Sequence, residues 1–347
     1  MDRTVERIIV IQTAFIGDVI LTLPLIQILR KKFPSARLDV VVVPRAANLL
    51  DHHPAVSNIV PYDKRGRQRG LGGFMEMVRR LRAERYDLAL VPHRSLRSAA
   101  LARASKVPVC IGFRTSVGRM LMTATVPYLA GVHEVERNMA LLKPLGIDVA
   151  VRELPTLYPS AADEARVDAW LTAIMPGIEG ALIGVAPGTI WNTKRWPKER
   201  FALVAQALAA QGNRVVLIGG PEDASLAGEI ASTVNDRRVA TAAGALTLLE
   251  SAALIRRCQQ LITNDSAPMH MAVAMRTPVI ALFGATVPAF GFAPYGEHDT
   301  VVETNGLSCR PCSIHGGDRC PIGTFDCMLH ISADRVVRLV NERTGVR

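Results

Sequence analysis

Cysteine is scarce in this chain: six in 347 residues are too few for a disulfide scaffold. Long apolar runs are missing as well. No stretch reaches the 18 apolar residues or so that a membrane-spanning helix needs. Residues 8–29 come nearest, but Gln12, Gly17, Asp18, Pro24 and Gln27 interrupt them. A charge at the centre of a membrane helix costs ~3 kcal/mol or more, so Asp18 alone argues against a span. No secretory signal is visible, and the expectation is a cytoplasmic soluble protein. Low-complexity tracts and repeats of 20–50 residues are also absent. No G-x-G-x-x-G follows the first strand and no G-x-x-x-x-G-K-[ST] occurs, which removes the dinucleotide fingerprint and the Walker loop. Helix-turn-helix, RNP and zinc-finger patterns are lacking, so no nucleic-acid partner is expected.

What remains is ordinary globular composition, 49% hydrophobic, 21% charged and 5% aromatic, enough for two domains each with its own core. The net charge of +10 points to an anionic partner. The charge is unevenly placed. Residues 1–170 hold 25 basic and 16 acidic side chains, whereas 171–347 hold 16 and 15. Segment 64–119 alone has 14 basic residues against Glu76, Glu84 and Asp87. The N-terminal half is the one expected to meet the anion.

Short apolar runs alternate with amphipathic stretches. Strands are expected at 8–11, 38–43 and 88–91, with helices over 18–32 and 74–85. The pattern restarts with strands at 182–185, 214–218, 260–263 and 278–283 and helices at 198–211, 223–234 and 266–275. Strands apolar on both faces, separated by helices, imply parallel doubly wound α/β sheets, one per half. Pro155, Pro159 and Pro176 mark 155–180 as the linker region.

Three strand-to-helix junctions carry polar residues, and ligands of such sheets bind beyond the carboxyl ends of the strands. Thr13 to Asp18 opens the first helix. Asp18 is there either a cap or a general base at the site. Ala186 to Pro197 offers Thr189, Thr193, Lys194 and Arg195, which suit a diphosphate. Thr263 to His270 leads into another helix, whose N–H groups can bind phosphate and whose start Asp265 or Ser266 can cap. A fourth feature is Cys309-x2-Cys312-x7-Cys320-x6-Cys327, with His315 and His330 nearby. Its spacing suits a structural zinc ion and equally suits thiols packed in a loop, so no metal ligand is assigned. Asp-x-Asp metal motifs are absent and no cofactor is expected.

Taken together, Gly17-Asp18-Val19 followed by Leu21-Thr22-Leu23-Pro24, then Lys194-Arg195-Trp196-Pro197, then Asn264-Asp265-Ser266-Ala267-Pro268-Met269-His270, resemble glycosyltransferase family 9. These are the bacterial ADP-heptose:lipopolysaccharide heptosyltransferases. The resemblance runs from Ile8 to about Val340. It implies a GT-B fold, with two Rossmann-like domains facing a cleft. Residues 1–170 would bind the acceptor and 171–330 the nucleotide-sugar. Residues 331–347 would form a helix crossing back to the first domain. The implied reaction is inverting transfer of heptose from ADP-heptose to an anionic lipid A–Kdo core at the cytoplasmic face of the inner membrane. By resemblance, Asp18 is the catalytic base. Thr189, Lys194, Asp265, Ser266, Ala267 and His270 contact the donor, Glu222 or Asp223 reaches its nucleoside, and Leu246 lies on the adenosine side. Ile190 stands where some members have a second threonine, and Ala267-Pro268 replaces the more usual glycine and a bulkier residue. Another nucleotide-sugar enzyme on this fold, a hexosyltransferase or an epimerase, is the alternative.

Overall fold

The computed structural model describes residues 5–149 and 151–344. The chain divides into two compact units, Met1–Tyr158 and Pro159–Arg347, each built on one parallel sheet. The first sheet takes β1 (Arg7–Gln12), β2 (Arg37–Val42), β3 (Asn58–Pro61), β4 (Leu88–Val91), β5 (Val109–Phe113) and β6 (Ala124–Val126) in the order β3-β2-β1-β4-β5-β6. The second takes β7 (Leu182–Ala186), β8 (Arg214–Leu217), β9 (Val239–Thr241), β10 (Gln260–Asn264), β11 (Val279–Phe283) and β12 (Thr300–Glu303) in the order β12-β11-β10-β7-β8-β9. Both orders are that of the Rossmann fold, with the first strand of each unit at the centre.

The physical cause is legible in β1 and β7. Ile8, Ile9, Val10 and Ile11 are fully buried, as are Ile183, Val185 and Ala186. Side chains alternate between the two faces of a strand, so an unbroken apolar run is stable only where helices cover both faces. The helices at Ile16–Lys32 and Leu71–Ala83 and those at Lys198–Ala210 and Leu248–Arg257 belong to those layers. The long helix at 16–32 buries Val19, Leu23, Ile26 and Leu29.

One feature differs from the sequence expectation. The segment expected as linker contains a helix, Ala161–Ile174, started by a reciprocal cap between Ser160 and Asp163. Glu164 and Asp168 on that helix pair with Arg256 and Arg257, which ties it to the second unit. The division therefore lies at Tyr158/Pro159 rather than near residue 170. The last helix, Ala333–Thr344, buries Val336 and Val340 in the second unit's core, beside Phe201 and Val204. Residues 345–347 of that expected helix lie outside the described residues.

Candidate functional site

In each unit, chemistry-bearing residues gather where the chain leaves the sheet in opposite directions, beside the two central strands. Between β1 and β4 the first residues past the strands meet directly. Thr13 Oγ1 lies 3.0 Å from His93 Nδ1 and 3.2 Å from Ser98 Oγ, and accepts from Lys64 Nζ at 3.2 Å. Burial, reinforced by Lys64, Arg94 and Arg65, lowers the His93 imidazole to about 4, so it is neutral at pH 7. Lys64 is itself held below the usual amine range by burial and by Arg65 and Arg97.

Asp18 sits one turn into the helix that follows β1. Its Oδ2 accepts the Phe15 N–H at 3.0 Å, which fixes the carboxylate against the start of the helix. The cap that the sequence allows at Asp18 is thus made. Burial pushes the carboxyl up to about 6; the Phe15 N–H opposes this, and Glu134 adds to it. Arg94 acts in the other direction.

Glu134 is a buried carboxylate at the start of the helix Glu134–Ala140, whose Asn138 donates to Leu21 O on the Asp18 helix at 3.1 Å. It accepts from Tyr128 Oη at 2.6 Å and from Arg137 at 3.0 Å. Arg94 lies over the Tyr128 ring at 4.0 Å, so Glu134, Tyr128, Arg137 and Arg94 form one network beside Asp18. Glu134→Gln keeps an acceptor for Tyr128 and Arg137 but removes the charge. The variant is expected to move the acidic limb of the kcat–pH profile to lower pH, since a negative neighbour that raises Asp18 is gone. An unmoved limb would show that Glu134 does not act on the group that titrates.

In the second unit β7 and β10 flank the corresponding point. Lys194, in the loop after β7, pairs with Asp265, just past β10, at 2.6 Å; both side chains are largely buried. Asp265 Oδ2 also accepts from Thr286 Oγ1 at 2.7 Å. Asp265 is therefore occupied by Lys194 and does not cap the helix Ala267–Ala274, and Ser266 at the cap position makes no side-chain capping bond either. Pro268 has no N–H and the Met269 N–H already donates to Ser266 O at 3.1 Å, so in this turn it is the Ala267 N–H that is left to another acceptor. Ala267 is half-buried in this turn, and His270 lies on the next, buried.

The loop after β7 is pinned by its own side chains. Asn264 accepts from the Trp196 N–H at 3.0 Å and donates to Pro187 O at 2.8 Å. Trp196 is fully buried, with Nε1 on Ile331 O. Arg195 donates to Thr189 O at 2.7 Å, which sets the half-buried Thr189. The loop after β8 comes close to it. Asp223 accepts from the Gly220 N–H at 3.1 Å, and a Cβ on Gly188 would fall 2.0 Å from Asp223 Oδ1. Burial raises the Asp223 carboxyl, with Glu222 adding and Arg195 opposing. Glu222 is exposed on the same turn, and Leu246 is half-buried after β9. Gly188→Ala must displace Asp223. If Asp223 contacts a nucleotide, as the resemblance implies, the variant is expected to weaken ADP binding several-fold in calorimetry; an unchanged affinity would count against that role.

The second-unit residues expected to contact the donor all follow the carboxyl ends of β7, β8, β9 or β10. Sequence reasoning missed His93, Lys64 and Glu134. His93 lies two residues past β4, and the adjacency of β1 and β4 is the signal that would have found it. Among the described residues no three His, Cys, Asp or Glu side chains are gathered as a metal site. Cys309, Cys312, Cys320 and Cys327 are all unbridged.

The comparisons agree with this geometry. Residues 74–317 match the family model for glycosyltransferase family 9 (heptosyltransferase). The chain is 33% identical to lipopolysaccharide heptosyltransferase 3 of Escherichia coli over 78% of its own length and 82% of that protein. It is 30% identical to lipopolysaccharide heptosyltransferase 2 of Salmonella typhimurium, with 82% and 84% covered. Among solved structures, a glycosyl transferase family 9 protein of Veillonella parvula superposes with a TM-score of 0.89 at 26% identity, over 100% and 99% of the two chains. ADP-heptose LPS heptosyltransferase II of E. coli gives 0.80 at 25% identity, over 97% and 98%. The fold is accordingly GT-B, and the chain belongs to glycosyltransferase family 9, the heptosyltransferases.

Proposed function

We propose that this protein transfers heptose from ADP-heptose to the lipopolysaccharide core, with the second unit binding the donor and the first the acceptor. The observation that carries this reading is the pair of polar junctions. One is cationic and phosphate-suited, with Lys194, Thr189 and the start of the helix at Ala267. The other holds an oriented carboxylate, Asp18, among basic residues. An acceptor hydroxyl is a poor nucleophile, and Asp18 is the group placed to take its proton. The hydroxyl oxygen forms a bond to the anomeric carbon as the bond from that carbon to the diphosphate breaks. The electron pair leaves with ADP, and the proton stays on Asp18. Attack from the face opposite the leaving group inverts the anomeric centre.

Negative charge grows on the diphosphate during this step. Lys194 and the Ala267 N–H at the start of the helix at 267–274 are a charge and a dipole of the right sign to stabilise it. Asp265 holds Lys194 in place beforehand, so little reorganisation is needed when the donor arrives. Asp223 and Glu222 serve the nucleoside, with Leu246 as its apolar neighbour. The acceptor reading rests on charge. Residues 1–158 carry 24 basic against 13 acidic side chains, and 159–347 carry 17 against 18. A phosphorylated, carboxylate-bearing lipid core matches the first unit, and it would bring the protein to the cytoplasmic face of the inner membrane. No helix among the described residues is long and apolar enough to cross a membrane.

Thermal shift with a panel of nucleotide sugars tests the donor. ADP-heptose is expected to raise the melting temperature more than UDP-hexoses at equal concentration, because binding to the native state alone stabilises it. A larger shift with a uridine donor would replace this reading with the other nucleotide-sugar chemistry of the fold.

A further inference from the structure

The first unit exposes large apolar side chains where a solvated surface has no use for them. Leu71 is 77% exposed, Leu96 52%, Val117 74% and Met120 86%. Met75, one turn on from Leu71, is exposed too. They are not scattered. Val117 N–H donates to Arg94 O, and a Cβ on Gly118 would fall 2.2 Å from Ala99 Cβ and 3.6 Å from Leu96 Cδ1, so the 117–120 turn lies against the start of the helix Leu96–Ala104. Arg97 on that helix joins the rest. It donates to Arg69 O and Gln68 O at 2.6 Å each and lies over the Phe74 ring, beside Leu71 and Met75.

The three segments that make this surface, 62–75, 92–97 and 114–121, hold eight basic side chains and one carboxylate. That carboxylate, Asp63, is turned onto the Gly66 and Arg67 N–H groups at 2.8 and 2.9 Å. Arg65, Arg67, Arg69 and Arg119 are exposed around the apolar tips. Apolar tips ringed by arginine suit a layer whose interior is hydrocarbon and whose surface is phosphate. A water-soluble anion would need the arginines but not Leu71 or Met120. An acidic protein partner would bring charge but nothing for five exposed aliphatic tips to enter.

We propose that this surface docks the protein on an anionic bilayer, with Leu71, Met75, Leu96, Val117 and Met120 entering the interface and the arginines on the headgroup phosphates. The segments follow β3, β4 and β5 at their carboxyl ends, the end of the sheet that also carries Asp18 after β1. Docking there would bring a lipid-borne acceptor to the same end as the base, a consequence that rests on the acceptor reading above.

The test is co-sedimentation of the full chain with phosphatidylcholine vesicles, with and without phosphatidylglycerol. The unmodified protein is expected on the phosphatidylglycerol vesicles and to leave them as salt rises. Val117→Asp/Met120→Asp is expected to reduce partitioning by about tenfold or more. Both side chains are exposed, and an unchanged circular-dichroism melt confirms that the variant folds. Equal partitioning of the variant, or no salt-sensitive partitioning of the unmodified protein, overturns the proposal. A dimer that the substitutions split, with vesicle binding unchanged, overturns it in favour of contact between copies. Partitioning is read without donor or acceptor, so failure of heptose transfer and failure of docking are separate results.

Discussion

Asp18→Asn is expected to lower turnover by roughly 10²–10⁴, about 3–5 kcal/mol of barrier, while ADP-heptose affinity and folding stay close to those of the unmodified protein. The structure makes the substitution a clean one. Asparagine keeps the volume, and its carbonyl oxygen can still accept the Phe15 N–H that Oδ2 now accepts at 3.0 Å. The cap is thus preserved and only the proton-accepting charge is lost. The unmodified enzyme is expected to lose activity as pH falls through about 6, where the carboxyl protonates. The direction follows from the role, because a base works only when ionised. The Asn variant is expected to show no such acidic limb in its residual activity. Near-normal turnover would leave Asp18 as a cap and return the base to the list of unidentified groups, with His270 the next to test.

Lys194→Ala is expected to weaken ADP binding by roughly ten- to a hundredfold and to lower kcat as well. A charge-assisted contact present in the ground state strengthens as the diphosphate gains charge. Calorimetry with ADP and steady-state kinetics on the same protein check both parts. The ion pair adds a structural cost. Removing Lys194 leaves Asp265 largely buried, with Thr286 as its one remaining hydrogen-bond partner among the described contacts, so the melting temperature should fall. Asp265→Asn separates the two effects. It removes the same ion pair but keeps the lysine, and is expected to retain more donor affinity than Lys194→Ala. Equal ADP affinity in Lys194→Ala and the unmodified protein would take Lys194 out of the donor site.

The fold was legible where strands are buried on both faces. The runs at 8–11, 88–91 and 182–185 all lie within strands, because a short run with no polar side chain is stable where helices cover both faces. Some outer strands were not legible. β6 and β9 are three residues each, too short for periodicity, and β5 is interrupted by Gly112. The linker helix was hidden behind prolines, although Ser160-Ala161-Ala162-Asp163 is a helix-start pattern. The polar junctions of the second unit could be read because each is local: a strand, a polar loop and a helix start within about twelve residues. The Lys194–Asp265 pair could not, since 70 residues separate the partners and only the adjacency of β7 and β10 brings them together. His93 and Thr13 meet for the same reason, across β4 and β1. Glu134 carried no motif at all. Its role comes from the packing of a short helix on the long one that bears Asp18.

The central claim is that one sugar, a heptose, moves from ADP to a lipopolysaccharide core. It is tested most directly by incubating the purified protein with ADP-heptose and the truncated lipopolysaccharide of a strain that lacks it, then weighing the core by mass spectrometry. The account predicts a core heavier by one heptose, with one ADP released per sugar added, and no gain with Asp18→Asn. ADP release without a mass gain, or a gain only from a different nucleotide sugar, would contradict it.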